Sequence, residues 1–410
     1  MALPLVLLAG ALNIFAFAPF GWWPLQIVTL ALVYVLAQRQ SRLRHSMLLA
    51  WAYGFGWSAC GVYWLYISMH QFGGLPAVIA ALAVALLALL LGVFPALAIV
   101  AGIRLRQRWS ASAPIAALLI FPALWALAEW LRGWVFTGLP WASSGYAHTA
   151  SPLAGYAPII GVYGLGWIVA LLAGCLVLLP ARKSPLLLVA ALLGAGLGLN
   201  KINWTTPNGQ PISVRLLQGN VPQEMKFASE QLNASLALYH DMIRASPADL
   251  IATPETAIPL LAQQLPPDYL MRLADFSSQS HSALAIGIPV SDGPLRYANS
   301  VLGISPGHAT PTYRYDKHHL VPFGEFIPSG FRWFVDLMRI PLGDFTRGAT
   351  LQAPFAVKDQ LVLPNICYED LFGEEIADQL AASYFSGTPQ ATLLLNLSNI
   401  AWFEIGRAHV

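Results

Sequence analysis

The chain has 410 residues, of which 57% are hydrophobic and only 10% charged, with a formal net charge of +2. Soluble domains usually carry about 25% charged residues, so this composition excludes an ordinary soluble protein and indicates contact with lipid. The Arg residues lie in short clusters between apolar runs, which argues against a nucleic-acid partner. Residues 1–200 contain one acidic and nine basic residues, whereas residues 201–410 contain 19 and 13. We therefore predict a transmembrane domain followed by a water-soluble domain.

Seven apolar segments in the first half are candidate transmembrane helices, because a helix needs roughly 20 apolar residues to cross the hydrocarbon core. The fourth is long enough to kink at Pro95, and the first two and the last are short. The first could alternatively be a signal peptide, but it lacks a basic start and other segments follow it. The segments are approximately 3–20, 23–38, 46–69, 76–103, 113–135, 157–180 and 185–200.

Basic residues are unevenly distributed among the predicted loops. The loops after the second, fourth and sixth segments contain eight Lys or Arg residues, against Arg132 alone on the other side. Because Lys and Arg accumulate in cytoplasmic loops, the N-terminus is predicted to be cytoplasmic. Seven crossings then place the soluble domain outside the cytoplasm, whereas six or eight would place it inside.

The hydrophobic period changes at about residue 212, where short β-like runs bounded by Gly, Pro or Asn begin. Helical stretches lie between some of these runs, at Ser229–Arg244 and Pro267–Gln279. Strands interleaved with helices predict an α/β layered domain rather than a β-sandwich. The predicted strands are Ile212–Leu217, Leu250–Thr253, Ala283–Ile288, Ser300–Ile304, Gln360–Leu363 and Thr392–Leu397.

Cys367 is the single cysteine of the soluble half, so no disulfide framework can form within that half. The surrounding pattern predicts a strand that ends at Ile366 and a sharp turn into a helix whose first turn bears Glu369 and Asp370. A thiol at a helix N-terminus is stabilised as the thiolate, and the same backbone N–H groups can hold an oxyanion. A buried structural cysteine is the alternative interpretation.

Two other segments carry residues suited to the same chemistry. Glu255 lies just past the predicted strand Leu250–Thr253, at the strand end where active sites of open α/β sheets gather. Lys317 and Glu325 belong to Tyr315–Pro328, a segment dense in rigid residues. For each of these charged residues, a solvated surface position is the alternative.

Glu255, Lys317 and Cys367, in this order and these contexts, resemble the Glu-Lys-Cys triad of the carbon–nitrogen hydrolase (nitrilase) superfamily. The resemblance extends over residues 1 to about 403 and is strongest to the membrane-fused branch, the apolipoprotein N-acyltransferase family. It implies a transmembrane domain of about seven helices at 1–200 and an extracytoplasmic nitrilase-like domain, an αββα sandwich, at 205–403. The similar stretches outside the triad are Glu129–Trp134, Phe136–Gly138, Gln218–Gln223, Pro322–Pro328 and Asn399–Phe403.

The sequence departs from the family pattern at three places. Phe227 stands where the family often has Trp, and Ile400 where many members have Asp. Residues 404–410 match the translation of a sequencing adapter. We therefore expect these last residues to be a non-native tail on a domain that is truncated at its C-terminus.

The resemblance implies a two-step transfer of an acyl chain from a phospholipid to the N-terminal amine of diacylglyceryl-cysteine in an apolipoprotein. The expected location is the bacterial inner membrane, with the catalytic domain on the periplasmic side and with no cofactor or metal. Glu255 would act as general base, Cys367 would carry the acyl group as a thioester, and Lys317 would stabilise the oxyanion.

Several other residues receive roles from the resemblance or from their chemistry. Glu325 matches the second carboxylate of the family, with capping of backbone N–H groups as the alternative. Tyr368 and Glu369 match positions beside the nucleophile, with simple helix-start roles as the alternative. Glu129 and Arg132 lie three apart on one helix face, as either a structural ion pair or a phospholipid-headgroup contact.

Aromatic residues of the soluble half are the predicted contacts for acyl chains. Phe331–Leu342 is unusually apolar and is predicted to be a lid that enters the outer leaflet through Trp333 and Phe334, with a packed helix as the alternative. Phe227 would supply apolar stacking in place of the family's Trp.

Two other functions remain open. A membrane-tethered amidase would use the same triad with water attacking the thioester, and hydrolysis of small amides without lipid would identify it. A transporter or membrane scaffold is the non-enzymatic alternative. Against transport, the apolar segments contain Glu129 and Arg132 as their charged residues and show no paired broken-helix repeat.

Overall fold

A computed structural model of the protein describes residues 2–221, 229–294, 296–332, 344–387 and 389–399. The chain divides into two compact units, Met1–Thr206 and Pro207–Val410.

The first unit is helical, as the apolar segments predict, and every predicted segment contains a helix. Short 3-10 or π-type turns extend several of these helices, for example Leu12–Ala16 after the first and Ala116–Ile120 before the sixth. The helices are α1 (Ala2–Ala11), α2 (Trp23–Gln38), α3 (Leu43–Gly61), α4 (Ala77–Leu91), α5 (Val93–Arg108), α6 (Phe121–Arg132), α7 (Ala157–Leu178) and α8 (Pro185–Leu199).

Among the described residues, three helical stretches are long and apolar enough to cross a membrane: Ala77–Arg108, Ala113–Arg132 and Pro152–Leu178. Shorter apolar helices lie at Ala2–Ala16, Trp23–Gln38 and Pro185–Leu199. The unit therefore has the composition of a membrane domain, and the count of seven crossings stays a prediction.

The fourth apolar segment is interrupted at Gly92, close to the expected Pro95. A Cβ atom at Gly92 would lie 2.9 Å from Phe55 N, so a glycine lets α3 pass close to the junction of α4 and α5. Pro95 has no N–H to donate to Leu91 O four residues earlier, and its ring crowds that carbonyl. The interruption therefore lies in the turn that a kink at Pro95 would affect.

Close helix contacts elsewhere in the first unit also depend on small residues. A Cβ atom at Gly10 would lie 2.0 Å from Tyr53 O, and one at Gly56 would lie 2.2 Å from Leu7 O. These two glycines let α1 and α3 approach each other through their backbones, a common way for helices to pack in lipid.

Over its described residues, the second unit contains two sheets. The first has the order β1-β2-β3-β4-β5, with parallel pairing from β1 to β3 and antiparallel pairing from β3 to β5. In the second, β7 pairs antiparallel with β6 and parallel with β8. The strands are β1 (Val214–Leu216), β2 (Leu250–Ala252), β3 (Ala283–Gly293), β4 (Arg296–Ile304), β5 (Tyr313–Asp316), β6 (Phe355–Val357), β7 (Gln360–Ile366) and β8 (Leu393–Leu397).

Helices α9 (Ser229–Arg244) and α10 (Tyr269–Ser280) pack on one face of the first sheet, and α11 (Gly373–Ser386) follows β7 in the chain. Alternate residues of β3 separate the two cores. Leu284 and Ile286 lie in the core shared with α9 and α10, whereas Ala283 and Ala285 lie in the core shared with the second sheet. A layer of helices packs on the first sheet, and the other face of that sheet packs on the second sheet. This is the nitrilase-like α/β arrangement that was predicted.

Candidate active site

The residues of the predicted triad follow the carboxyl ends of three strands. Glu255 lies shortly after β2, Lys317 directly after β5, and Cys367 directly after β7. The strand β5 was not predicted from the sequence. Its presence explains why Lys317 points into the protein, because β5 pairs with β4 and carries the lysine to the sheet edge.

Lys317 is buried between two carboxylates. Its Nζ atom lies 3.1 Å from Glu255 Oε1 and 3.0 Å from Glu325 Oε1, and the residue is 0% exposed. Burial alone would lower the pKa of Lys317, but the two carboxylates outweigh it and raise the pKa above its ordinary value. The lysine is therefore a buried positive charge held between two carboxylates.

Asn299 joins the same two carboxylates from the neighbouring strand β4. Its Nδ2 group donates to Glu255 Oε1 and to Glu325 Oε1, both at 2.8 Å, and its backbone oxygen accepts from Lys317 N at 2.8 Å. Sequence reasoning missed this residue. The available signal was a pair of polar residues, Asn299 and Ser300, inside an otherwise apolar strand, because a buried polar side chain needs a partner.

Cys367 occupies a strained turn at the end of β7. Its φ angle is +53°, in the left-handed region that side chains other than glycine rarely adopt. The turn continues as a five-residue 3-10 helix, Cys367–Leu371, and α11 begins only at Gly373. The strand end at Ile366 is confirmed, as is the sharp turn into a helix whose first turn bears Glu369 and Asp370; this helix is of the 3-10 type.

The resting sulfur of Cys367 is a thiol. Burial and the negative charge of Glu255 raise its pKa, Lys317 and the Ser398 side chain lower it, and the net result is a pKa of about 12. Any stabilisation of the thiolate by the helix N-terminus is therefore outweighed in the resting site. A neutral thiol beside a carboxylate needs the carboxylate to accept its proton before the sulfur can attack.

Glu369 is a buried carboxylate that joins the turn at Cys367 to the segment that follows Lys317. One oxygen accepts from Ile366 N at 2.6 Å and from the Tyr315 hydroxyl at 3.0 Å. The other accepts from the backbone N–H groups of His318 and His319 at 2.7 and 3.1 Å. Burial raises the pKa of Glu369, and the three backbone donors and Lys317 lower it. Its geometry is that of a positioning residue.

Tyr368 and the two adjacent histidines surround this turn. Tyr368 is half-buried and packs edge-on against His319 and Phe372, with ring centroids 5.6 and 5.0 Å apart. His319 Nδ1 lies 2.7 Å from Glu375 Oε1, and His318 Nδ1 lies 2.9 Å from Gly348 O. The histidine rings therefore have partners on the side of α11 and of the loop that contains Gly348.

Glu129 and Arg132 form a separate cluster in the first unit. Glu129 Oε1 accepts from the backbone N–H and the hydroxyl of Ser144, both at 2.8 Å, and Arg132 Nη2 donates to Ser143 Oγ at 2.9 Å. The two charges are 4.0 Å apart and both residues are buried. Both side chains hold the loop that follows α6.

The remaining predicted contacts fall on residues that the structure does not describe. Phe227, Trp333, Phe334 and the tail 404–410 lie outside the described ranges. At the described edge of the predicted lid, Phe331 is 46% exposed and its ring centroid lies 5.3 Å from that of Phe323. Over the described residues, no group of three or more His, Cys, Asp or Glu side chains is arranged to hold a metal ion.

Comparison with known protein families matches each half of the chain separately. Residues 9–175 match the apolipoprotein N-acyltransferase N-terminal domain, and residues 213–405 match the carbon-nitrogen hydrolase family. Among solved structures, an amidase from Nesterenkonia sp. is 16% identical, with a TM-score of 0.34 over 46% of this chain and 64% of its own.

Curated relatives match almost the whole chain. The apolipoprotein N-acyltransferase of Ralstonia nicotianae is 48% identical over 98% of this chain and 76% of its own length. That of Nitrosomonas europaea is 43% identical over 96% of this chain and 78% of its own. With both domains matched in the family's order and with identity at this level, the chain belongs to the apolipoprotein N-acyltransferase family.

Proposed function

We propose that the protein transfers an acyl chain from a phospholipid, through a thioester on Cys367, to the N-terminal amine of diacylglyceryl-cysteine in an apolipoprotein. The relatives' name states the reaction class. The observation that carries the residue assignment is a fully buried lysine between Glu255 and Glu325, with the Cys367 thiol against Glu255. A buried charge network beside a nucleophile with a shifted pKa is the arrangement that marks a candidate catalytic site.

In the first step, Glu255 accepts the proton of Cys367 and the resulting thiolate attacks the ester carbonyl of the phospholipid. The Lys317 ammonium stabilises the tetrahedral oxyanion, and loss of one such group typically costs about 2.7–4 kcal/mol of transition-state stabilisation. The carbon–oxygen bond then breaks, and Glu255 returns its proton to the leaving lysophospholipid. The acyl group remains on the sulfur.

In the second step, the amine of the acceptor attacks the thioester. Glu255 accepts a proton from the amine, the carbon–sulfur bond breaks, and the sulfur leaves as a thiolate that Glu255 reprotonates. One carboxylate therefore serves both halves of the cycle. The same atoms could hydrolyse an amide with water as the second nucleophile, and the choice between the two depends on the acceptor.

The supporting residues receive positioning roles in this proposal. Glu325 and Asn299 fix the Lys317 ammonium and the Glu255 carboxylate relative to each other. Glu369 holds the turn of Cys367, and Tyr368 lies next to the nucleophile with one face on an aromatic cluster. Glu129 and Arg132 are proposed to be a structural pair of the membrane domain.

We further propose that the protein lies in the bacterial inner membrane, with 1–200 as the transmembrane domain and 205–403 as a periplasmic catalytic domain. Contacts in the first unit support the predicted orientation. Arg106 near the end of α5 donates to Gln38 at the end of α2, and both ends precede basic loops. Trp141 Nε1 donates to Gly61 O at 3.0 Å, which joins the two loops on the side that lacks basic clusters.

Contacts with the acyl chains are proposed from the sequence, at Phe227, Trp333 and Phe334. Replacing Trp333 and Phe334 with Ser should slow turnover on phospholipid vesicles, because an apolar lid would lose its affinity for the outer leaflet. The same variant should keep the wild-type rate with a short-chain, soluble ester. Unchanged kinetics on vesicles would remove the lid from the proposal.

The assignment of the nucleophile is tested by mass spectrometry of the protein after incubation with phospholipid. The wild type should gain one acyl mass on the peptide that contains Cys367, and Cys367→Ala should not. Cys175→Ala, which changes a buried thiol of the first unit, is the matched control and should acylate like the wild type. Acylation of Cys367→Ala at the wild-type level would overturn the assignment.

A second incubation identifies the acceptor. The isolated acyl-enzyme should lose its acyl group to a diacylglyceryl-cysteine peptide and gain no rate from small amides. Release of free fatty acid to water at the same rate with and without the peptide would instead favour the membrane-tethered amidase.

A further inference from the structure

The end of strand β8 lies directly beside the cysteine turn. Strands β7 and β8 are parallel, and their register pairs Ile366 with Leu397. The next residue of each strand is therefore Cys367 on one side and Ser398 on the other. Because neighbouring parallel strands are about 4.8 Å apart, side chains at equivalent positions beyond the last pair are close enough for direct contact.

Three residues of the segment 396–399 lie against Cys367 and Glu255. Asn396 Nδ2 donates to the backbone oxygen of Cys367 at 3.2 Å, and also to Asn365 Oδ1. Ser398 lies between Asn396 and Asn399, and its side chain is near enough to the Cys367 sulfur to lower the pKa of the thiol. The backbone N–H of Asn399 donates to Glu255 Oε2 at 3.4 Å, a long hydrogen bond. One short segment thus touches the backbone of the nucleophile, its sulfur and its general base.

The sulfur has two hydrogen-bonding neighbours with opposite roles. Glu255 is a carboxylate, so at rest it can accept a hydrogen bond from the S–H group, and its negative charge favours the neutral thiol. Ser398 is a hydroxyl, so it can donate to a sulfur lone pair while the thiol points at Glu255. A donor favours the charged form of the group that it binds.

We propose that Ser398 is a catalytic residue that donates its hydroxyl hydrogen to Cys367 Sγ and stabilises the thiolate in both halves of the acyl-transfer cycle. This inference rests on the proposed function, in which Cys367 is the nucleophile. The stretches that carry the sequence resemblance begin at Asn399 in this part of the chain and do not include Ser398.

The hydrogen bond changes strength during the cycle, but the serine keeps its proton throughout. When the Cys367 proton moves to Glu255, the hydroxyl bonds to a full negative charge, and charge-assisted hydrogen bonds are about twice as strong as neutral ones. Formation of the carbon–sulfur bond removes that charge and weakens the contact. When the acceptor amine displaces the sulfur, the charge returns and the hydroxyl stabilises the leaving thiolate.

The test uses the full chain in detergent and measures the rate of Cys367 alkylation by iodoacetamide between pH 7 and pH 9. The peptide that contains Cys367 is quantified by mass spectrometry. Loss of the donor in Ser398→Ala should raise the pKa of the thiol by about one unit, which lowers the thiolate fraction about tenfold. The more basic thiolate is also a better nucleophile, so the net fall in alkylation rate should be about threefold at each pH.

Two variants separate this effect from loss of structure. Thr392→Ala removes a hydroxyl from the start of the same strand, where it bonds Gln360 and Leu361, and should alkylate like the wild type. Ser398→Thr keeps a hydroxyl and should restore most of the rate. If Ser398→Ala does not accumulate, Ser398→Gly removes the same hydroxyl and should show the same threefold fall.

The outcomes distinguish this inference from the proposed function. An unchanged alkylation rate in Ser398→Ala, or an equal fall in Thr392→Ala, would overturn the role of Ser398 even if phospholipid acylates Cys367 normally. If phospholipid never acylates Cys367 in the wild type, the proposed function fails, and the alkylation rates still report whether Ser398 bonds the sulfur.

Discussion

Each unit of the protein buries a carboxylate beside a cation, and the two clusters differ in their charge balance. In the membrane unit, Glu129 and Arg132 carry one charge of each sign, 4.0 Å apart, and their closer contacts go to Ser143 and Ser144. In the catalytic unit, Lys317 has two carboxylates within 3.1 Å, and a neutral thiol lies against one of them. The first cluster is neutral, whereas the second has an excess carboxylate.

We interpret this difference as the difference between a structural cluster and a chemical one. The balanced pair makes its hydrogen bonds to a loop, and we propose that it holds that loop. A site with one more carboxylate than cation has a base that can take a proton when a neighbouring thiol supplies it. Excess charge beside a nucleophile is therefore more informative about function than burial of a charged residue.

The strongest test of the comparison is Lys317→Met. This change leaves Glu255 and Glu325 buried without their cation, which should lower the free energy of unfolding by about 3–5 kcal/mol and abolish acylation of Cys367. Lys358→Met is the matched control, because Lys358 is paired with Asp249 at an exposed position and should cost at most about 1 kcal/mol. Thermal unfolding in detergent measures both. Equal losses in the two variants would contradict the charge argument.

The structural cluster is tested by Gly166→Ala in α7. A Cβ atom at Gly166 would lie 2.3 Å from Glu129 Oε2, so the carboxylate must move and its bonds to Ser144 must lengthen. We expect a loss of about 1–3 kcal/mol in the free energy of unfolding, with acylation per folded molecule unchanged. Gly198→Ala in α8 meets nothing within 4 Å and should be neutral or slightly stabilising. A selective loss of acylation would assign the cluster a chemical role.

A third prediction concerns the thiol and follows from the excess charge. Glu255→Gln removes a negative charge that raises the pKa of Cys367, so that pKa should fall and alkylation by iodoacetamide at pH 8 should become faster. Transfer from phospholipid should fall about 100-fold or more, because the general base is lost. Asp370→Asn changes an exposed neighbour of the turn and should alter neither rate. Slower alkylation in Glu255→Gln would show that the carboxylate promotes ionisation at rest.

The smallest expected effect belongs to a carboxylate near the sheet edge. Asp249 accepts from the backbone N–H and hydroxyl of Ser213 at 2.7 and 2.9 Å, and its hydrogen bond from Lys358 is the main cause that lowers its pKa to about 2. Because the folded-state pKa lies below the ordinary carboxyl value, the stability that Asp249 contributes is present above about pH 4 and is lost as the pH falls toward 2.

Asp249→Asn should therefore lower the free energy of unfolding by about 1 kcal/mol at pH 7, a modest value because Asp249 pairs with an exposed lysine. The difference from the wild type should shrink between pH 4 and pH 2, as measured by denaturant unfolding at each pH. A difference that stays constant over this range would show that the asparagine acts through packing and not through charge.

The sequence was a good guide wherever one pattern determined one element. Apolar length predicted the helices of the first unit, and alternation with turn residues predicted six of the strands, with β7 ending at Ile366 as expected. Strands β5 and β6 were not predicted. Their runs, Tyr313–Asp316 and Phe355–Val357, are short, and β5 contains two charged residues, of which Arg314 pairs with Asp316 and with Asp292 of β3.

The sequence identified the residues of the triad but not the hydrogen bonds that join them to the rest of the site. Glu255 and Cys367 follow strand ends, which a sequence shows directly. The contacts of Asn299 and Ser398 depend on strand order and register, which bring together residues that are far apart in the chain. The size and causes of the shift in the pKa of the thiol also could not be predicted, because burial and the charge of Glu255 depend on the assembled site.

The single carboxylate of Glu369 accepts from Tyr315, His318, His319 and Ile366, which belong to two distant parts of the chain. Anyone who transplants the three reactive side chains onto another α/β scaffold would copy their charges without this tether. The cysteine and the lysine would then sit on loops free to drift apart. A design that keeps the site intact has to include Glu369 and its four hydrogen-bond donors. The smallest transferable unit is therefore the ends of β5 and β7 with the Glu369 carboxylate between them.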